Sequence, residues 1–296
     1  MASRVVIGYD GSKASEDAVA FGLTWCRSTG DVPIVATVYP EEHPFGLGVR
    51  RIDIDWVTYV REQAEIVQDK ARASVGDSAL YRNVASTSAA HGLADVAEDV
   101  EAAMVIVGTT QESGLTRALL GSSTERLLHG ATAPVTVVPP GWRQSTPDRI
   151  SRIGVAYVDT RDGREALRVA VRVALRIPAR LTLYSILGQS SERYSYLVGR
   201  TDEQAFVDKA RDSYGKALEF AAAGVPPELE PRTVLLEGAV VESLAALGPD
   251  DVDMLVCGSR GYGPVRRVLL GGVSSPLIRR AQLPVTVVPR ATTGSA

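Results

Sequence analysis

Two sets of glycines and hydroxyls are spaced in a way that could do chemistry. The later set is Gly258, Ser259, Arg260, Gly261, nine residues, Gly271-Gly272, then Val273 and Ser274. The earlier is Gly108, Thr109, one residue, Gln111, nine residues, Gly121-Ser122, then Ser123 and Thr124. Each set follows a short apolar run and precedes a helical pattern. Strand, glycine-rich loop and helix together form an arrangement that holds phosphate. Glycine lets the backbone turn sharply and come close to an anion. The free N–H groups of a first helical turn then hold negative charge, helped by the helix dipole. Glycines after a strand are also ordinary turn formers, and for a single set the two readings stand level.

The sets are copies of one another. Met104–Pro139 and Met254–Pro289 align at a shift of 150 positions without a gap, with 14 of 36 residues identical. The shared residues include Gly108/Gly258, Gly121/Gly271 and the whole run Pro134–Pro139/Pro284–Pro289. A repeat of this length indicates duplicated domains rather than a solenoid. The length of 296 residues fits two domains, read as 1–140 and 150–290.

The elements that must position these sets alternate. In the first half, strands are expected at Arg4–Ile7, Pro33–Tyr39, Leu80–Ser86, Met104–Val107 and Val135–Val138. Helices are expected at Ala14–Arg27, Asp53–Val75, Leu93–Val100 and Ser122–His129. The second half repeats the order, with strands at Ile153–Tyr157, Leu181–Leu187, Thr233–Leu236, Leu255–Cys257 and Val285–Val288. Its helices are read at Arg164–Arg176, Asp202–Ala223, Val240–Leu247 and after Ser274-Ser275. Pro40–Arg51 and Gln189–Gly199 read as loops, Pro139–Arg149 as a polar linker and Ala291–Ala296 as a tail. This alternation implies parallel βαβ units with helices on both faces of a sheet. Ligands then bind at the carboxyl ends of the strands where strand order reverses. Asp10, in the turn after the first strand, would thus share a crevice with Gly108. Asp10-Gly11-Ser12 is equally good turn and helix-start chemistry.

Composition narrows the classes. A net charge of −3 gives no basic field for nucleic acid. Cys26 and Cys257 sit in apolar contexts and read as buried thiols. No apolar run suggests a signal peptide or a membrane span, so a cytoplasmic protein is expected. No Walker A pattern, G-x-G-x-x-G after the first strand or kinase motif set occurs. His43, His91 and His129 are scattered without metal-ligand spacing, and Glu41-Glu42-His43 reads as a solvated loop.

The glycine sets resemble the nucleotide-binding signature of the universal stress protein family, G-x2-G-x9-G-[S/T]. Each copy departs once: Gln111 stands for the second glycine, and Gly272 for the final hydroxyl. The chain is similar throughout to the tandem type of that family. The resemblance implies an α/β fold of two doubly wound five-stranded parallel sheets, Rossmann-like and adenine nucleotide alpha hydrolase-like, as a pseudo-twofold tandem repeat. It implies pairing of the two halves through their PVTVVP strands and allows a homodimer. The implied ligand is ATP, with or without magnesium, in one or both units.

Carried over by position, the first unit offers Asp10, Val38, Gly108, Thr109, Gly121, Ser122, Ser123 and Thr124. If the second glycine serves through a left-handed backbone, Gln111 is strained there or the loop re-routes through Ser113-Gly114. The second unit offers Asp159, Ile186, Gly258, Ser259, Arg260, Gly261, Gly271, Gly272, Val273 and Ser274. Gapless alignment of the first helices puts Val158 opposite Asp10, so Asp159 serves only if the turn differs by one residue. Arg260 and Arg267 could neutralise phosphate, or be solvated. The expected function is a nucleotide-binding stress-response regulator that is not an enzyme. The alternatives are an interaction protein with degenerate loops, and a slow ATPase, for which no base is marked.

Overall fold

The computed structural model describes residues 2–41, 50–111, 118–119, 121–188, 200–259 and 272–289. The chain forms two compact units, the first ending at Arg149 and the second beginning at Ile150. The expected loops at Pro40–Arg51 and Gln189–Gly199, apart from the ends of the former, and the expected tail lie outside the described residues.

The first unit runs β1 (Arg4–Gly8), α1 (Lys13–Thr29), β2 (Val32–Pro40), α2 (Arg50–Val75), β3 (Leu80–Ser86), α3 (Ala89–Asp99) and β4 (Met104–Gly108). A two-stranded piece follows, β5 (Thr110–Gln111) and β6 (Ala118–Leu119), then α4 (Ser122–Gly130) and β7 (Val135–Val138). Its five-stranded order is β7-β4-β1-β2-β3, all parallel. Residues 104–107 and 135–138 are all buried, as parallel strands covered on both faces require.

Local chemistry explains α1. The Ser12 hydroxyl accepts from the Ser15 N–H at 3.2 Å, a helix N-cap. Gly30 ends the helix with φ 74°, its N–H donating to the Cys26 carbonyl at 2.8 Å, a left-handed cap that suits glycine. Between them Ala18, Phe21 and Trp25 are buried. Gly22 sits on the same face, where a Cβ would lie 2.3 Å from Ile7 Cδ1. The strand side chain thus fills the space glycine leaves. Removing Trp25 to alanine would cost about 3–5 kcal/mol. The α2 helix adds a polar tie: Gln68 is buried, and its Nε2 donates to the Val35 and Arg82 carbonyls at 3.1 and 3.0 Å.

The second unit runs β8 (Arg152–Ala156), α5 (Arg161–Ala174), β9 (Arg180–Leu187), α6 (Arg200–Ala223) and β10 (Arg232–Glu237). It continues with α7 (Val240–Ala245), β11 (Met254–Gly258), α8 (Ser274–Arg280) and β12 (Val285–Val288). The order is β12-β11-β8-β9-β10, again all parallel. Its own core includes Ile153, Leu181, Leu183, Leu218 and Met254. The expected doubly wound α/β architecture is therefore present in each unit. Among the described residues no helix is long and apolar enough to cross a membrane.

Three expectations are corrected. The segment after β7 is not a free linker. Trp142 is 5% exposed and packs edge-on against Phe21, with ring centroids 5.9 Å apart at 68°. Asp17, itself buried, accepts from the Gly141 and Arg143 N–H groups at 2.8 and 3.0 Å. Arg143 also donates to the Lys13 carbonyl at 2.9 Å. Proline and glycine at Pro139–Gly141 gave the segment a linker's composition, but Trp142 supplies an anchor. Secondly, α3 begins at Ala89 rather than Leu93, because the Ser88 hydroxyl accepts from the His91 N–H at 3.2 Å. Thirdly, of the two alternatives left open for Gln111, the strained left-handed backbone is not the one adopted. It pairs with Ala118 in the antiparallel ladder, so it is extended.

Candidate functional site

A crevice of about 240 Å³ opens at the carboxyl ends of β1 and β4, where strand order reverses. This is where doubly wound sheets bind ligands. One wall is polar and comes from the turn after β1: Tyr9, Asp10, Ser12 and Ser15. A second is apolar, with Ala36 and Val38 of β2 and Ala89 and Leu93 of α3. The far wall holds Gly108 at the end of β4, then Gly121, Ser123 and Thr124 at the start of α4. Asp10, Val38, Gly108, Gly121, Ser123 and Thr124, distant in sequence, thus meet in one cavity.

Asp10 is held by its own turn. Its Oδ1 accepts from the Ser12 N–H at 2.9 Å. Partial burial pushes its carboxyl up, but hydrogen bonds from the Ser12 side chain and amide and from Ser15 outweigh that, and it lies below its ordinary value. It is a fixed anion and acceptor at neutral pH. Tyr9 moves up, from burial first and then from the Glu16 and Asp10 charges, so it stays a neutral phenol. The Tyr9 N–H donates to the Ala36 carbonyl at 2.9 Å. Val38, two residues on, turns its own N–H and C=O to the same side, past the last β1 residue, Gly8.

Gly108 has a packing reason that the sequence could not show. A Cβ there would lie 1.9 Å from the Ala14 carbonyl oxygen. The strand end and the first turn of α1 touch backbone to backbone. Gly121 is different: it has φ −59° and ψ 148°, open to any residue, and a Cβ would meet nothing within 4 Å among the described residues. As the N-cap of α4 it makes no side-chain cap, whereas Ser12 and Ser88 cap α1 and α3. Among the described residues, the first-turn N–H groups of α4 therefore have no side-chain cap as acceptor. Thr109 and Ser122 do not line the crevice. Thr109 is buried and turned into the sheet, its N–H and Oγ1 both donating to the Val138 carbonyl at 3.0 and 3.1 Å; Ser122 is exposed.

The second unit keeps the frame and changes the walls. The Tyr157 N–H donates to the Tyr184 carbonyl at 2.8 Å, and Thr160 caps α5 by accepting from the Gly163 N–H at 3.1 Å. These match Tyr9 and Ser12, so Val158 stands in the place of Asp10. Asp159 does not take that role: its Oδ1 accepts from Arg164 Nη1 at 2.6 Å and from the Tyr157 hydroxyl at 3.2 Å. Ile186 is buried on β9, two residues beyond Tyr184, as Val38 is beyond Ala36. A Cβ on Gly258 would lie 2.8 Å from the Asp162 carbonyl oxygen. The Ser259 N–H donates to the Val288 carbonyl at 3.0 Å. Buried Ser274 donates its hydroxyl to the Ser259 carbonyl at 3.3 Å. Gly272 is exposed, and Val273 precedes the seven-residue α8. Arg260, Gly261, Arg267 and Gly271 lie outside the described residues.

Both thiols are buried and free, and burial pushes Cys26 and Cys257 up to about 12. Among the described residues no cluster of three His, Cys, Asp or Glu side chains could hold a metal. Sequence reasoning passed over Ala14, Ser15, Ala36, Ala89 and Leu93 as crevice residues. The reversal of strand order was the one signal that could have pointed to them.

The sequence profile described as the universal stress protein family matches residues 1–139 and again 149–289. The chain belongs to the universal stress protein family. Its two matches make it a tandem member. A universal stress protein of Mycobacterium tuberculosis (strain H37Rv) is 27% identical over 293 residues, covering 96% of this chain and 99% of that one. Another from the same strain is 34% identical over 132 residues, 41% of this chain and 39% of its own. A universal stress protein from Archaeoglobus fulgidus has the same fold, with TM-score 0.65 and 19% identity over 97% of this chain and 98% of that one.

Proposed function

We propose that this tandem universal stress protein binds ATP or a related adenine nucleotide in the crevice of its first unit, as a stress-response regulator rather than an enzyme. The observation that carries this reading is the opposed pair of walls. Backbone donors and acceptors of β2 at Val38 stand at one end with Asp10. The N–H groups of the first turn of α4, with Ser123 and Thr124, stand at the other. A base needs an apolar shelf with a few convergent polar groups. Ala36, Val38, Ala89 and Leu93 offer the shelf. Phosphate needs N–H and hydroxyl donors at a positive helix end, and the uncapped α4 offers those. The cavity is a little below the usual range of roughly 300–1,000 Å³, so a nucleotide would leave part of itself over the rim.

The regulator reading draws on the phosphate end of the crevice. In-line attack on a γ-phosphate gains from a group that takes or positions a proton. Among the described lining residues of α4, Ser123 and Thr124 carry hydroxyls and no carboxylate or imidazole. The competing reading, an interaction protein without nucleotide, draws on the extended Gln111 in place of the signature glycine.

Chromatography of whatever is released when freshly purified protein is denatured tests the reading, paired with calorimetric titration of Gly121→Arg by ATP and magnesium. A Cβ at Gly121 meets nothing within 4 Å among the described residues, so Gly121→Arg should leave stability within about 0.5 kcal/mol while putting a long side chain at the crevice wall. Adenine nucleotide with the wild type and none with the variant is the expected result. No nucleotide and no titration with the wild type would reject it.

A further inference from the structure

The segment through which the chain leaves the first unit is docked on the helix that borders the first crevice. Ser12, Ala14 and Ser15, at the start of α1, line that crevice. The residues between and just after them, Lys13, Glu16 and Asp17, hold the segment. Arg143 Nη1 donates to the Lys13 carbonyl at 2.9 Å and pairs with Glu16 Oε2 at 2.7 Å. Asp17 accepts from the Gly141 and Arg143 N–H groups. One turn further along α1, Phe21 receives the Trp142 ring. Residues 12–17 thus serve the crevice and the segment at once. The docking is opposed as well as held. The buried Trp142 indole N–H has no hydrogen-bond partner among the described residues, and an unpaired buried donor disfavours the docked arrangement. In the second unit, counting from the capping Ser12 and Thr160, Glu165 stands where Asp17 does. That acid is turned to its own helix, accepting from Arg168 Nε at 2.9 Å.

We propose that Arg143 is a positioning residue for the first crevice, so that ligand uptake there and docking of the segment at residues 141–145 favour one another. The inference rests on the reading of the first crevice as a nucleotide site. With the segment docked, the Lys13 carbonyl and the Glu16 and Asp17 carboxylates are fixed, and a ligand meets an α1 turn that is already ordered. With the segment released, binding must order that turn as well. A ligand therefore binds the docked state more tightly, and by linkage its binding docks the segment.

The test is hydrogen exchange of the full chain with and without ATP and magnesium, read by mass spectrometry on the peptide covering residues 141–145, together with calorimetric titration. In the wild type, ATP should slow exchange there about fivefold or more. Arg143→Met keeps the length of the side chain and removes its guanidinium. It should weaken ATP about tenfold, and adenosine, which carries no phosphate, by the same factor. Arg143→Lys can still reach the Lys13 carbonyl or Glu16 and should recover part of the loss. The equal loss separates positioning from direct attraction, because a cation acting on phosphate across space would leave adenosine unchanged when removed. The proposal is overturned if ATP binds and exchange at 141–145 stays the same, if Arg143→Met binds both ligands as the wild type does, or if ATP alone is weakened. Failure of the nucleotide reading looks different: the wild type then takes up no ATP at all, which overturns the coupling with it.

Discussion

The two units share a frame and differ at its mouth. In both, a tyrosine N–H after the first strand donates to a carbonyl of the second strand, and a hydroxyl residue caps the next helix. In both, a glycine ends the fourth strand of the sheet against a helix carbonyl. The residues facing the crevice diverge. Asp10 becomes Val158, Ala14 becomes Asp162, and Thr124 becomes Ser274, tied to its own loop. What the copies kept is what the sheet and its helices need to pack. What they changed includes Asp10, Ala14 and Thr124, three residues that line the first crevice. Gly121/Gly271, kept in both copies, lines that crevice too, so identity between repeats does not by itself divide packing from chemistry.

The glycine pair offers the strongest test of that division. If Gly108 serves packing, Gly108→Ala drives a methyl into the Ala14 carbonyl and should cost about 3 kcal/mol or more. Gly258→Ala meets its carbonyl at 2.8 Å instead of 1.9 Å and should cost about 1 kcal/mol. Urea unfolding followed by circular dichroism would rank them. Equal costs, or a fully stable Gly108→Ala, would mean that the strand end relaxes and the packing account is wrong.

Next come the buried carboxylates that hold the chain beside each unit's sheet. Asp253 accepts from the Ser151 N–H and hydroxyl, the Arg152 N–H and the Arg152 guanidinium, at 2.7 to 3.0 Å. Asp17 accepts from the Gly141 and Arg143 N–H groups. Removing either leaves donors unpaired. Asp253→Ala should cost about 3 kcal/mol and Asp17→Ala about 2 kcal/mol. Only the latter should also redden tryptophan emission, by loosening Trp142. An unshifted spectrum in a destabilised Asp17→Ala would separate the Trp142 contact from the carboxylate clamp.

The uneven legibility of the sequence has physical causes. The two PVTVVP strands could be read directly, because proline bounds and an unbroken apolar core mark them. The α3 start was misplaced by four residues: Ala89-Ala90-His91-Gly92 has weak periodicity, and Ser88 was the overlooked signal. Trp142 was hidden because its clamp, Asp17, lies 124 positions before Gly141, and such pairings leave no local trace. The β5–β6 pair involves two residues a side, too few for a period. Asp10, Gly121, Ser123 and Thr124 could be named because their types carry chemistry and a family signature marks them. Ala14 could not, since an alanine in a helical pattern says nothing about the cavity it borders.

The smallest expected effect concerns Asp10, the residue that most separates the two turns. Its carboxyl is lowered in the folded chain despite the opposing push of burial. A depressed acid adds stability above its unfolded value, about 3.9, and loses it as pH falls through the folded value. Asp10→Asn should therefore lower the melting temperature slightly at pH 7, and the gap to the wild type should begin to narrow below about pH 4 and close as pH falls through the folded value. Val158 offers no carboxylate, so Val158→Asn should show no such pH-dependent gap. A gap for Asp10→Asn that does not narrow at all as pH falls below about 4 would mean that the Ser12 contact works through shape and not charge. Asp10 would then be a turn former first, and the two turns would differ by less than its charge suggests.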